Sequence, residues 1–254
     1  MNKLQIIIFV ILLSVIMTIT ISKHTAVKTL NHSEKKIVNA AKDDKLELTA
    51  NMIAVVAFAF TGVLAIYTPN VDIFGAIVLG VITALGGGTI RDAIMDVPIF
   101  WIKMPMYVWV SAIASLFAFY TARFLSHSQI FDFIVYMDGL GAAMFGIQGA
   151  RKAWNKFPNN STFAIIMGVV TAIGGGLIRD ILSGNKTLIM SHDLYAVPVL
   201  FGCALYVFLL KYAPVQFSNS ISILCTTFVF LFRAASIHWG LTVPKMFIGN
   251  HARL

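Results

Sequence analysis

The chain has 254 residues, 58% of them hydrophobic and only 12% charged, with a mean hydropathy of +0.84, where an ordinary soluble domain carries about 25% charged residues. That composition excludes a water-soluble fold and identifies an integral membrane protein. The formal charge of +8 comes from the N-terminal segment, the loops and the tail, so membrane topology accounts for it and a nucleic-acid surface is not implied.

Residues 4–21 form an apolar run preceded by Lys3 and followed by small residues around Ser22, so 1–22 reads as a secretory signal peptide or a retained anchor helix. A lysine-rich stretch follows over 23–45, with Lys23, Lys28, Lys35, Lys36, Lys42 and Lys45; it reads as a solvated linker or a short surface helix. Seven further apolar segments lie at 46–67, 71–90, 106–124, 130–149, 163–178, 194–210 and 214–232. Each is about long enough to cross a hydrocarbon core of about 30 Å as a helix, whereas barrel strands would alternate over about 10 residues. Cys203 and Cys225 fall inside these segments without CxxC spacing and read as small packing residues.

The segments are organised by duplication. Residues 83–92, Thr-Ala-Leu-Gly-Gly-Gly-Thr-Ile-Arg-Asp, return as 171–180, Thr-Ala-Ile-Gly-Gly-Gly-Leu-Ile-Arg-Asp, identical at eight of ten positions. Upstream, Asn51, Phe58 and Gly62 match Asp138, Phe145 and Gly149 at an offset of 87. The chain therefore divides into repeat 1 (46–125), repeat 2 (130–211), a seventh core helix (214–239) and a tail (240–254). Each repeat holds three spans, an odd number, so the second copy threads the membrane in the opposite sense and the two are inverted about an axis in the membrane plane. The expected fold class is an all-α integral membrane protein: a seven-helix core of two inverted three-helix repeats plus a final helix, behind the N-terminal signal peptide or anchor. Basic residues divide evenly between the two sides of this topology, so orientation is left open.

The repeated motif carries the candidate site. Three consecutive glycines cost about 1 kcal/mol each in a helix interior, and Gly86, Gly87, Gly88 and Gly174, Gly175, Gly176 are expected to mark breaks or kinks where freed backbone groups line a cavity. The alternative use is close helix packing. Thr83 and Thr171, one turn earlier, either line the same pathway or bond back to their own helices. Arg91, Asp92, Arg179 and Asp180 are too costly to face lipid. Because adjacent helical residues diverge, they are expected to pair across the repeats, Arg91 with Asp180 and Arg179 with Asp92, and to gate or brace the pathway. The other reading puts each pair at headgroup level with its arginine snorkelling. Asn51 and Asp138 are secondary candidates near the starts of their spans.

Other chemistries find no support. No Gly-Lys-Ser/Thr ending or GxGxxG after a strand signals a phosphate loop, and His24, His32, His127, His192, His238 and His251 are scattered without ligand spacing. No catalytic constellation, metal or cofactor is expected.

The doubled Thr-Ala-x-Gly-Gly-Gly-x-Ile-Arg-Asp motif, with Phe58 to Gly62 and Phe145 to Gly149 ahead of it, resembles the bacterial proteins named for a duplicated glycine-transporter domain, prokaryotic relatives of the trimeric intracellular cation channels. The resemblance covers about residues 46–232. It implies a homotrimer in the bacterial cytoplasmic membrane with a pore inside each protomer, the second and fifth spans kinked at the glycine triplets, and monovalent cations, chiefly potassium and also sodium, as the permeant species. Asn51 departs from the acid that the resemblance leads one to expect there. The runner-up function is a secondary transporter of glycine or another small amino acid, with Arg91 or Arg179 as substrate ligand; a purely structural membrane scaffold is a third reading.

Overall fold

The computed structural model describes residues 32–67, 71–122, 124–125, 127–188, 194–214 and 217–241. The expected signal peptide or anchor over 1–22, the linker up to residue 31 and the tail from 242 lie outside the described residues. Eight helices are described: α1 (His32–Ala65), α2 (Ile73–Ile94), α3 (Phe100–Lys103), α4 (Met106–Ala122), α5 (His127–Lys156), α6 (Ser161–Ser183), α7 (Ala196–Tyr212) and α8 (Ser218–His238).

Five of these contain stretches long and apolar enough to cross a membrane: Glu47–Ala65, Ile73–Ile94, Ile130–Lys156, Ser161–Ser183 and Ser218–His238. The remaining two large helices, α4 and α7, have 17 residues each, about 25 Å of rise, at the short end of the spanning range. They are the third helices of the two repeats. The four-residue α3 has no counterpart among the predicted segments. From His32 the chain is helical and runs straight into the first span.

The repeats are visible residue by residue. Asp72 caps α2 by accepting a hydrogen bond from the Gly75 amide (2.9 Å), and Asn160, 88 positions on, caps α6 through the Phe163 amide (3.1 Å); such caps satisfy one of the free donors at a helix start. Gly80 meets Ser115 as Gly168 meets Cys203, so Cys203 is one half of a repeated packing contact. Gly62 lies against Thr83 as Gly149 lies against Thr171.

Within each repeat the three large helices pack on one another, α1 with α2 and α4, and α5 with α6 and α7. The repeats meet through α1 on α5 and α2 on α6. Phe58 and its mate Phe145 stack across the first contact, 5.7 Å between centroids and 15° between planes, as expected for equivalent residues flanking the pseudo-twofold axis. Helix α8, outside the symmetry, packs on α5 and α7 and so braces repeat 2.

Candidate functional site

Helices α2 and α6 cross at the two glycine triplets. A Cβ on Gly87 would stand 2.3 Å from the Thr171 carbonyl oxygen, and one on Gly175 would stand 2.3 Å from that of Thr83. Gly174 lies against the Gly87 Cα, and Gly86 and Gly174 receive the Ile178 and Ile90 side chains respectively. Contact pairs 86 with 178, 87 with 175 and 90 with 174 run in opposite directions along the two sequences, so the helices are antiparallel. Their Cα hydrogens point at each other's carbonyls, a contact worth about 0.5–1 kcal/mol each. Only glycine permits this approach.

Both helices are helical throughout the triplets. Neither helix is therefore interrupted at its triplet. In this arrangement the triplets pack closely on one another, as the alternative reading has it. Thr83 and Thr171 likewise bond back one turn, to the carbonyls of Leu79 and Met167.

The Arg-Asp pairs do not meet across the repeats. Each arginine instead folds back onto its own neighbour: Arg91 Nε donates to Asp92 Oδ1 at 2.8 Å and Arg179 Nε to Asp180 Oδ1 at 2.8 Å. Antiparallel crossing explains the failure, since Arg91 lies about 6 Å beyond Gly87 in one direction and Arg179 about 6 Å beyond Gly175 in the other. The cross-repeat partners thus sit on opposite sides of the crossing. The divergence of adjacent Cβ atoms is overcome because the long arginine side chain turns back and offers Nε.

Each aspartate also holds the chain that follows its helix. Asp92 Oδ2 accepts from the Phe100 amide and Asp180 Oδ2 from the Leu188 amide, both at 2.9 Å and both eight residues downstream. The Arg-Asp step is thus a buckle that fixes the return of the chain, with Arg91 and Asp92 exposed by 4% and 0%, and Arg179 and Asp180 by 1% and 5%. With such burial neither arginine reaches outward as a snorkelling side chain would.

Beyond the buckle the two ends differ. At the repeat 1 end, Lys152 from α5 joins Asp92 Oδ1 at 2.8 Å, Lys156 donates to the carbonyls of Met95 and Asp96, and the Arg91 guanidinium lies 5.8 Å from the Phe100 ring centre. Phe100 itself covers Gly88 and packs edge-on against Tyr107 at 4.8 Å. At the repeat 2 end, Arg179 Nη1 donates to Asp138 Oδ1 at 2.7 Å, giving this arginine two carboxylates. Gly176 there faces the Tyr195 hydroxyl, Asp138 and Arg179. A cavity of about 600 Å³ opens onto this end, walled by Leu64, Tyr67, Ile130 and Ile134 with Arg179, Asp180, Asn185 and Lys186 on its polar side.

Among the members of these clusters absent from the sequence-derived set are Lys152, Tyr195 and Arg233. The last reaches the site from α8, with Nη1 2.8 Å from the Leu194 carbonyl and its guanidinium 4.9 Å from the Tyr195 ring centre. Two of them carried a readable signal, since Lys152 and Arg233 are cations inside or beside apolar runs and such residues are functional candidates by default. Asp138, placed near the start of its span from sequence, lies well inside α5, because that helix begins at His127. Its mate Asn51 sits beside Tyr107, as Asp138 sits beside Tyr195.

The family model described as "Glycine transporter" matches this chain twice, at residues 48–123 and 135–211. Among curated proteins, the chain is 32% identical over 209 residues to the UPF0126 inner membrane protein YadS of Escherichia coli (strain K12), covering 80% of this chain and 97% of that one. It is 34% identical over 206 residues to a UPF0126 membrane protein of Vibrio cholerae, covering 80% and 84%. Among solved structures, it superposes on the trimeric intracellular cation channel orthologue of Rhodobacter sphaeroides with a TM-score of 0.69 and 32% identity, covering 77% of this chain and 99% of that one. A prokaryotic channel of the same kind, crystallised in 0.5 M KCl, gives a TM-score of 0.70 at 28% identity, covering 78% and 99%. With both halves matched and the contacts duplicated in space, this multi-pass membrane protein belongs to the UPF0126 family, whose members carry a duplicated glycine-transporter domain.

Proposed function

We propose that the protein is a passive channel for monovalent cations, potassium and sodium, working in the bacterial cytoplasmic membrane as a homotrimer with a pathway inside each protomer. The observation that carries this reading is the likeness, over more than three quarters of the chain, to two solved prokaryotic proteins described as cation channels. The antiparallel crossing of α2 and α6 supports it, since at Gly87 and Gly175 the two spans meet backbone to backbone, where they can part with little loss of side-chain packing. In the arrangement described, the crossing is shut. Conduction follows when α2 and α6 separate at Gly87 and Gly175, with ions passing between the repeats toward the cavity beside Asp180.

Arg91 and Arg179 act as braces in this reading. A bare arginine in the path would repel a cation, and each is neutralised by carboxylate on its own helix. The same pairing weighs against a glycine carrier, because both arginines that would take the substrate carboxylate already pair with an aspartate. The test is potassium efflux from liposomes holding the purified protein: flux well above that of empty vesicles is expected, and none would overturn the proposal. Saturable uptake of labelled glycine in the same vesicles would favour the carrier.

A further inference from the structure

Helix α8 has no repeat mate, and its one buried arginine is aimed at repeat 2. Arg233 is 3% exposed. Its stem lies against Gly139 of α5, where a Cβ would stand 2.9 Å from Arg233 Cγ. Its guanidinium donates to the Leu194 carbonyl and covers the Tyr195 ring. Arg233 therefore grips the two residues that lead into α7 and ties them to α5.

The consequence falls on Tyr195. Its ring lies under Arg233 and its hydroxyl meets Gly176 of α6, where a Cβ would stand 2.9 Å from the hydroxyl and 3.2 Å from Asp138 Oδ1. The hydroxyl and Asp138 are near enough to interact, yet neither the hydroxyl nor Asp138 Oδ2 has a partner in hydrogen-bond geometry. The Tyr195 hydroxyl and Asp138 are thus gathered at Gly176, beside the Arg179 that Asp138 already holds. In repeat 1 the equivalent tyrosine, Tyr107, packs on Phe100, and the arginine over that ring is Arg91 of the buckle itself.

We propose that Arg233 is a positioning residue for gating: it latches Tyr195 against Gly176 and Asp138, and so holds α6 in the crossed, shut arrangement from the repeat 2 end alone. This rests on the channel reading above. Movement of α6 away from α2 must carry Gly176 and Arg179 past Tyr195, and a tyrosine free to follow offers less resistance than one fixed by a stacked cation. The latch also fits the placement of α8 on α5 and α7, which among the described residues leaves the repeat 1 end without an equivalent helix.

The experiment compares wild type, Arg233→Ala, Arg233→Gln, Tyr195→Phe and the double variant Arg233→Ala with Tyr195→Phe, reconstituted for single-channel recording in KCl. Arg233→Gln keeps a donor for the Leu194 carbonyl and serves if the alanine variant does not fold. Loss of the stacked cation is expected to raise open probability about tenfold at unchanged unitary conductance. Tyr195→Phe is expected to act in the same direction, and the double variant to add little to either, as for two members of one latch. Hydrogen exchange by mass spectrometry on the same proteins is expected to show faster exchange over 196–199 in the Arg233 variants, with 106–112 unchanged. An open probability within about twofold of wild type, or a changed unitary conductance with unchanged gating, would overturn the proposal. If wild type carries no current, the channel reading fails while the exchange comparison still decides whether Arg233 holds the start of α7.

Discussion

The two ends of the crossed helices begin from the same Arg-Asp step and are finished differently. At the repeat 1 end one carboxylate, Asp92, serves two cations, Arg91 and Lys152. At the repeat 2 end one cation, Arg179, is served by two carboxylates, Asp138 and Asp180. The difference traces to two departures from the repeat, Asn51 where the second copy has Asp138 and Lys152 on α5 where the first copy has Ala65. Duplication fixed the backbone device, the buckle that ties each aspartate to the amide eight residues on.

This asymmetry predicts unequal sensitivity. Arg179→Met leaves Asp138 and Asp180 buried without their shared cation, and breaking a buried pair from one side costs about 3–5 kcal/mol. Arg91→Met leaves Asp92 with Lys152, so its loss is expected to be about half as large. Thermal unfolding of both variants in detergent measures the gap; equal losses would show that the second carboxylate of repeat 2 contributes nothing.

The crossing, by contrast, is expected to respond symmetrically. A methyl at Gly87 or at Gly175 would meet a backbone carbonyl 2.3 Å away, which no rotamer change relieves. Each alanine variant is expected to lose about 2–3 kcal/mol, the upper part of the range for overpacking. If one is tolerated and the other is not, the helices do not cross on the pseudo-twofold axis.

Smaller effects refine the comparison. The Lys152 side chain is 30% exposed, so its bond to Asp92 is partly screened and Lys152→Met is expected to cost about 1 kcal/mol. Asn51→Asp gives Arg91 the counterpart of Asp138 and is expected to change stability by less than about 1 kcal/mol, whereas Asp138→Asn costs about 2 kcal/mol by removing a charged bond from Arg179. A large penalty for Asn51→Asp would mean that the first end is tuned against a second carboxylate.

The fold was legible because its causes are written in chain order: apolar length gives spans, an odd number of spans per copy gives inversion, and identical motifs give equivalent positions. The site was legible in membership and less so in geometry. Gly86 to Gly88 and Gly174 to Gly176 announce an unusual backbone demand, but a helix break and a backbone-to-backbone crossing make the same demand on sequence. Only the partner helix distinguishes them. The pairing of Arg91 with Asp92 was hidden for a different reason, since Cβ directions say nothing of how far an arginine can turn back once an aspartate is fixed by a downstream amide. Arg233 lay outside the repeat, where symmetry gives no guidance.

The central claim is that this chain passes monovalent cations. Recordings across a planar bilayer with purified protein and a KCl gradient test it most directly. A current reversing near the potassium equilibrium potential is the predicted result; a reversal near that of chloride, or no current over protein-free bilayers, would contradict it.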